Sequence, residues 1–231
     1  MAPSLSRTLR LRQRGFTLVE IAIVLVIVGL LLAGVLKGQE LIENSKIKSI
    51  GKDMDSVVAA VQSYRDRYQG LPGDSATATT HTERGWGTTA FTAGNNDGLM
   101  GAVATTFTVG ANEQTMAIVS MMYAGFIGGN PGAGAPNTIA RPRHAGDGAI
   151  AVSSGAFGFV GRNVVCVNGL SGKAAGAIDR QYDDGDPSTG TIRAARIALP
   201  GNPTAAAPTV TTQYAEDAAS NTVPVTLCRQ I

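Results

Sequence analysis

Two hydrophobic patterns follow one another along the first 70 residues of the chain. From Phe16 to Leu36 nearly every position is apolar, and Glu20 is the only charged residue. A helix of these 21 residues would rise about 32 Å, which is roughly the thickness of the hydrocarbon core of a bilayer. The first pattern therefore predicts a membrane-spanning helix over residues 16–36.

Charged residues appear from Lys37 onward, and the apolar residues then recur at spacings of three and four. This periodicity is that of one face of an amphipathic helix. The chain has no proline between Pro3 and Pro72, so we expect one continuous helix from Thr17 to Gln69. The apolar positions of the second pattern are Leu41, Ile42, Ile47, Ile50, Met54, Val57, Val58, Val61, Tyr64 and Tyr68.

The remaining residues, 70–231, are rich in glycine and predict a small globular head with short elements. Asn112 and Ser171 are N-cap residues for two helices, the first running through Phe126 and stopped by Gly128 and Gly129, the second ending at Tyr182. Five segments predict strands: Ala149–Val152, Phe157–Val160, Asn163–Val167, Thr191–Leu199 and Val223–Cys228. We expect an α+β fold, in which the long N-terminal membrane-spanning helix packs against a head with an antiparallel sheet.

A short basic segment precedes the apolar run. It contains four arginines and no acidic residue, and arginines beside an apolar span favour the cytoplasmic side. An ordinary secretory signal places its cleavage site after the apolar region. Here the plausible cleavage site, between Gly15 and Phe16, lies before it, so cleavage would remove the arginines and keep the membrane helix.

This order, together with the sequence Gly-Phe-Thr-Leu-Val-Glu at residues 15–20, resembles the leader of type IV pilins and type II secretion pseudopilins. The resemblance implies that a prepilin peptidase cleaves after Gly15 and methylates Phe16, and that Glu20 acts in assembly. It divides the chain into a leader (1–15), an N-terminal helix (16–69) and a periplasmic or extracellular head (70–231). The implied partners are the prepilin peptidase, other pilin subunits and the inner membrane.

Glu20 is unusual on physical grounds alone, because a carboxylate within a membrane helix is unfavourable unless it is paired. In a cleaved chain the nearby cation is the amine of Phe16, about one helical turn away. Glu20 can pair with the amine of its own chain or with that of a neighbouring subunit, which would favour side-by-side assembly. The alternative is an interfacial residue that reaches the lipid headgroups.

Two cysteines, Cys166 and Cys228, lie in strand-like segments beyond the membrane span. On the outer side of the membrane an oxidising compartment permits a disulfide. We expect the two residues to be joined across neighbouring strands, and two buried free thiols are the alternative.

Composition excludes several classes of function. The leader holds four of the 19 basic residues and none of the 17 acidic ones, so the cleaved chain has no basic field for nucleic acid. His81 and His144 lack partners at metal-ligand spacing, and no catalytic constellation is present. We therefore expect a protein that is not an enzyme and has no certain cofactor.

One acidic turn is a candidate metal site. Asp179, Asp183, Asp184 and Asp186 lie within eight residues, and calcium prefers several oxygen ligands of this kind. The spacing does not fit an EF-hand loop, and a solvated acidic turn without an ion explains the same residues. Some pseudopilins bind calcium in a loop of the head, so the resemblance keeps calcium as an option.

The sequence thus predicts a structural subunit of a type IV pilus or pilus-like filament. Two alternatives stay open: a type II secretion pseudopilin, and a membrane-anchored binding protein that does not polymerise. We expect such a protein in the inner membrane before assembly, with its head in the periplasm, and in an extracellular filament or periplasmic pseudopilus afterwards.

Overall fold

In a computed structural model of the chain, the residues described are 15, 17–75, 83–86, 94–102, 106–108, 110, 112–131, 141–209, 214–215 and 223–231. The chain divides into two compact units between Asn44 and Ser45.

The N-terminal helix, α1, runs from Leu18 to Tyr68 and contains 51 residues. Its bounds differ by one residue at each end from the predicted helix over Thr17–Gln69, so that prediction is confirmed. In the first unit, the helix places its leucine, isoleucine and valine side chains on the surface.

In the second unit, α1 buries one face in the head. Its buried residues alternate at spacings of three and four, which keeps them on one stripe of the helix. The stripe packs into the main hydrophobic core together with side chains of the sheet and of two shorter helices. The members of the stripe are Ile47, Ile50, Met54, Val57, Val61 and Tyr64.

The head contains a four-stranded antiparallel sheet. The strands are β1 (Ile150–Ser154), β2 (Asn163–Leu170), β3 (Ile192–Arg196) and β4 (Val225–Gln230), and they lie in the order β1-β2-β4-β3. The last strand is therefore inserted between the second and the third. This topology confirms the predicted α+β class with an antiparallel sheet.

Both faces of the sheet are covered. One face, which includes Val165 and Leu227, belongs to the main core with α1. The opposite face, which includes Cys166 and Cys228, packs against Phe157 and forms a second, smaller core. Cys166 and Cys228 are direct partners in the pairing of β2 with β4, and a disulfide joins them as predicted.

Among the described residues the head also contains two helices of 11 residues: α2 (Glu113–Tyr123) and α3 (Gly172–Tyr182). The side chain of Asn112 accepts a hydrogen bond from the N–H of Thr115, and that of Ser171 accepts one from the N–H of Ala174. Both predicted N-caps are therefore confirmed.

The predicted end of α2 is wrong. Gly125, with φ of 77°, donates its N–H to the carbonyl of Met122, and Phe126 donates its N–H to the carbonyl of Met121. This is a Schellman motif with glycine in the left-handed region. The helix therefore ends before Gly125, and Phe126 lies beyond it.

The strand predicted over Phe157–Val160 is also wrong. Residues Ala156–Gly158 form a short 3-10 turn, in which Phe157 adopts φ of 49° and is fully buried. Burial of the phenyl ring in the second core overrides the strand preference of its local sequence. The other strand predictions are confirmed in type, with ends that differ by at most three residues.

Polar contacts fasten α1 to the sheet and to α3. The hydroxyl of Tyr182 donates to Asp55 at 3.0 Å, and Arg229 pairs with the same carboxylate at 2.8 Å. Gly51 lies against the ring of Tyr182: a Cβ at this position would stand 2.8 Å from the tyrosine oxygen. Glycine here permits the close approach of the two helices.

We expect Gly51→Ala to destabilise the head, although alanine is the better helix former by about 1 kcal/mol. The added methyl group must displace a tyrosine that Asp55 holds in place, and such overpacking costs about 1–3 kcal/mol. Chemical denaturation of the purified protein measures the effect. Gly38→Ala is the matched control, because nothing lies within 4 Å of a Cβ there, and it should leave the midpoint of head unfolding unchanged.

Removal of the disulfide should destabilise the head without preventing membrane insertion. The bridge closes a loop with a sequence separation of 62 residues, which in the chain-entropy model contributes about 4 kcal/mol. The double variant Cys166→Ala, Cys228→Ala avoids buried unpaired hydroxyl groups. A variant that unfolds at the wild-type denaturant concentration would contradict this expectation.

Candidate functional site on the N-terminal helix

The first turn of α1 holds Glu20 by hydrogen bonds from Thr17. The carboxylate accepts the backbone N–H of Thr17 at 2.8 Å and its hydroxyl at 2.7 Å, and the N–H of Glu20 donates to the hydroxyl oxygen at 3.2 Å. This reciprocal arrangement is a capping box, in which N-cap and third helical residue satisfy each other's free backbone donors.

Thr17 contacts the candidate residue Glu20 and was not predicted from the sequence. Its signal was present, because a threonine followed three residues later by a glutamate before an apolar run is the signature of a capping box. Gly15 is exposed, whereas Phe16 lies outside the described residues, so cleavage after Gly15, methylation of Phe16 and pairing of Glu20 with its amine stay predictions.

The residues after Glu20 form an apolar surface. Within Leu18–Tyr68 the helix contains a stretch long and apolar enough to cross a membrane, judged by length and composition, and none of that stretch is buried. A contiguous exposed apolar surface of this size requires a lipid or protein environment. The most exposed large side chains of this surface are Leu25, Leu30 and Leu36.

Comparison with known proteins identifies a family motif in this region. Residues 10–36 match the prokaryotic N-terminal methylation motif. The chain carries the signature of type IV pilins and pseudopilins. The motif implies processing by a prepilin peptidase and assembly with other pilin subunits, and together with the apolar helix it supports anchoring in a membrane. It points to a structural subunit rather than an enzyme.

The match covers the N-terminal region and says nothing about the head. No curated protein matches the chain. The particular filament or secretion system must therefore be inferred from the molecule itself.

The acidic turn after α3 brings three of its four predicted carboxylates together. One oxygen from each of Asp179, Asp183 and Asp184 lies within 4.8 Å of the others. Asp186 lies outside this group and accepts hydrogen bonds from the N–H and the hydroxyl of Ser188, at 2.9 and 2.6 Å. The three grouped residues are those that could hold a cation, and calcium at this turn stays a prediction.

Each grouped carboxylate also has a role in the fold. Asp183 accepts the N–H of Ile192 at 2.7 Å, and so satisfies a backbone donor of the strand β3. Asp184 accepts the hydroxyl of Thr189 at 2.6 Å. Asp179 is fully buried and accepts the hydroxyl of Tyr214 at 2.6 Å. The turn can thus be held by these hydrogen bonds without a metal ion.

The buried carboxyl of Asp179 should make the stability of the head depend on pH. Burial raises the pKa of this carboxyl to about 6, whereas an aspartate in an unfolded chain has a pKa of about 4. The folded protein therefore binds this proton more tightly than the unfolded chain. Its stabilising contribution is present in acid and is lost as the pH rises from about 4 to about 6.

We expect Asp179→Asn, which does not titrate, to gain stability relative to the wild type as the pH rises through this window. The difference in free energy of unfolding should change by at most about 3 kcal/mol. Denaturation at a series of pH values with a chelator measures it. Repeating the series with calcium tests the metal site, since a bound cation would reverse the loss in the wild type alone; equal curves with and without calcium would leave an acidic turn without an ion.

Proposed function

We propose that the chain is a structural subunit of a type IV pilus or a related filament, and that it polymerises through α1 after loss of its leader. The observation that carries this proposal is the continuity of α1. One unbroken helix begins in the methylation motif, exposes an apolar surface and then enters the core of the head. A subunit with this design can exchange lipid for the helices of other subunits.

The proposal assigns a role to each part of the chain. Residues 1–15 form the leader, residues 16–36 the membrane span before assembly, and residues 70–231 the head on the periplasmic side. The arginines of the leader support this orientation, because basic residues beside a span remain in the cytoplasm. After assembly the head would lie in an extracellular filament or a periplasmic pseudopilus.

In this proposal the capping box explains how Glu20 resides in the membrane before assembly. The two donors of Thr17 give the carboxylate partners within its own helix, and the positive end of the helix dipole favours a negative charge there. In the filament, the amine of Phe16 from a neighbouring subunit would become an additional partner. The carboxylate would then fix the axial position of one helix against the next.

A type II secretion pseudopilin is the second candidate. Many pilins carry a proline just after the most apolar stretch, whereas this chain has Lys37 at the corresponding place and an unbroken α1 through it. That difference favours a specialised or minor subunit over a major pilin. An anchored binding protein that does not polymerise is disfavoured, because such a protein needs neither the cleavage site nor Glu20.

Glu20→Gln tests the proposal. The glutamine keeps the size of the side chain and can accept hydrogen bonds from Thr17, but it removes the charge that would attract a neighbouring amine. We expect processed, membrane-inserted protein with a strongly reduced yield of filaments. Intact-mass measurement reports cleavage and methylation, and shearing of cells reports filament yield.

Glu40→Gln is the matched control. Glu40 lies on the same helix and pairs with Lys37 at 2.7 Å, with both side chains exposed, so its loss should have little effect. Normal filament yield from Glu20→Gln would show that the carboxylate is an interfacial residue. A leader retained in assembled wild-type protein would contradict the processing step independently.

A further inference from the structure

A buried histidine lies inside a short hairpin of the head. Arg143 and Ala149 pair as an isolated antiparallel bridge, and the residues between them form a tight loop; we refer to residues 143–149 as the hairpin. Within it, His144 exposes only 4% of its surface. Neither the assembly surface nor the acidic turn uses this side chain.

Both ring nitrogens of His144 have partners, and the partners demand opposite roles. Nε2 lies 2.9 Å from the carbonyl oxygen of Asn168, which can only accept, so Nε2 must carry the proton. The N–H of Gly146 donates to Nδ1 at 3.0 Å, so Nδ1 must be an unprotonated acceptor. The geometry therefore requires the neutral imidazole with its proton on Nε2.

The hairpin contacts α1 through the two residues that follow His144. The N–H of Ala145 donates to the carboxylate of Asp53 at 3.1 Å. Gly146 lies beside Ile50, close enough that a Cβ on the glycine would be 3.1 Å from the end of the isoleucine side chain. Ile50 is 3% exposed, so the hairpin covers an apolar residue of the stripe by which α1 enters the head.

We propose that the hairpin is an acid-released flap on α1 and that protonation of His144 opens it. A second proton on the ring must go to Nδ1. It would then face the N–H of Gly146, and two donors cannot bond to each other. The resulting cation would also be buried, which is unfavourable without a pairing carboxylate. Relief requires the loop to rearrange, so that the N–H of Gly146 turns away from the ring and the ring reaches water. Because Ala145 and Gly146 are the residues that contact α1, this rearrangement withdraws the hairpin from the helix.

The charged groups that face the ring come from α1 and from the hairpin itself. Asp53 on α1 and Asp147 on the hairpin favour the protonated ring, whereas Arg143 opposes it; β2 presents the neutral carbonyl of Asn168. Arg143 and Asp147 pair with each other at 2.9 Å. Burial is the strongest influence and lowers the pKa of His144. The hairpin is therefore closed at neutral pH, and its opening belongs to mildly acidic conditions.

Opening would change the surface of the part of α1 that packs in the head. It would uncover Ile50 and free the carboxylate of Asp53, so that a new apolar and acidic surface appears on the helix that carries the assembly motif. The flap depends only on contacts within the head, and it does not require that the chain polymerise. Failure of filament assembly in other experiments would therefore leave it intact.

Amide hydrogen exchange on the full chain in detergent micelles tests the flap. The protection of the Ala145 and Gly146 amides, corrected for the intrinsic effect of pH, should fall as the pH drops below about 6.5, the ordinary pKa that the ring regains in the open hairpin. The fall should be at most about tenfold for each pH unit. His144→Gln can still donate to Asn168 and accept from Gly146 but cannot titrate. Its protection should not depend on pH in this range.

His81→Gln is the control, because it removes the other histidine of the chain and should behave like the wild type. Since a substitution at a buried site can unfold the head, the titration of the His144 ring in the wild type, followed by its imidazole NMR resonances, provides a second measurement. A ring that titrates while both amides remain protected would show an ion pair with Asp53 in place of opening. A ring that stays neutral until the whole head unfolds would also overturn the proposal.

Discussion

The structure depends on one constraint: a single helix must expose apolar side chains along one part of its length and bury them in the head along another. Up to Asn44, α1 exposes its apolar side chains, whereas from Ile47 to Tyr64 it buries a stripe with spacings of three and four in the head. The sheet and the two shorter helices pack on that stripe. The core of the head is thus incomplete without residues 47–64 of α1. The residues before Ser45 belong to a separate unit.

Polar contacts fix the position of the helix on which the apolar stripe lies. Apolar packing is non-directional, so the stripe alone allows α1 to shift along its axis or rotate slightly. Asp53 receives the N–H of Ala145, and Asp55 receives Tyr182 and Arg229. Asp55 is partly exposed, so its pair with Arg229 contributes little to stability by itself. These contacts matter because they are directional, and they therefore select one register of α1 against α3 and β4.

The sequence predicted those features that depend on local pattern. The extent of α1, the caps at Asn112 and Ser171, and the bridge between Cys166 and Cys228 all follow from periodicity, capping chemistry or strand-like context. The segment misassigned as a strand and the order of the sheet depend on tertiary contacts. Phe157 lies in a 3-10 turn because its ring fills the second core, and the insertion of β4 between β2 and β3 has no local signature.

The candidate sites divide in the same way. The methylation motif is contiguous in sequence, whereas Tyr214, which donates to Asp179, and Asn168, which accepts from His144, lie tens of residues away from them. By sequence alone Gly51 is a poor helix former, whereas in the structure it admits Tyr182, which lies far away along the chain. Contacts between residues so far apart in sequence can be identified only in the folded structure.

The capping box changes the physical account of Glu20. From sequence, the carboxylate needs a cation, and the cost of an unpaired charge in the membrane would then help to drive assembly. In the structure the carboxylate already has two donors in Thr17 and lies at the positive end of its own helix. Pairing with a neighbour would therefore gain only the difference between two satisfied states. If the chain polymerises as proposed, the driving force would come mainly from packing of the exposed apolar residues between Ile21 and Leu36, and the charge on Glu20 would decide which axial position those helices adopt.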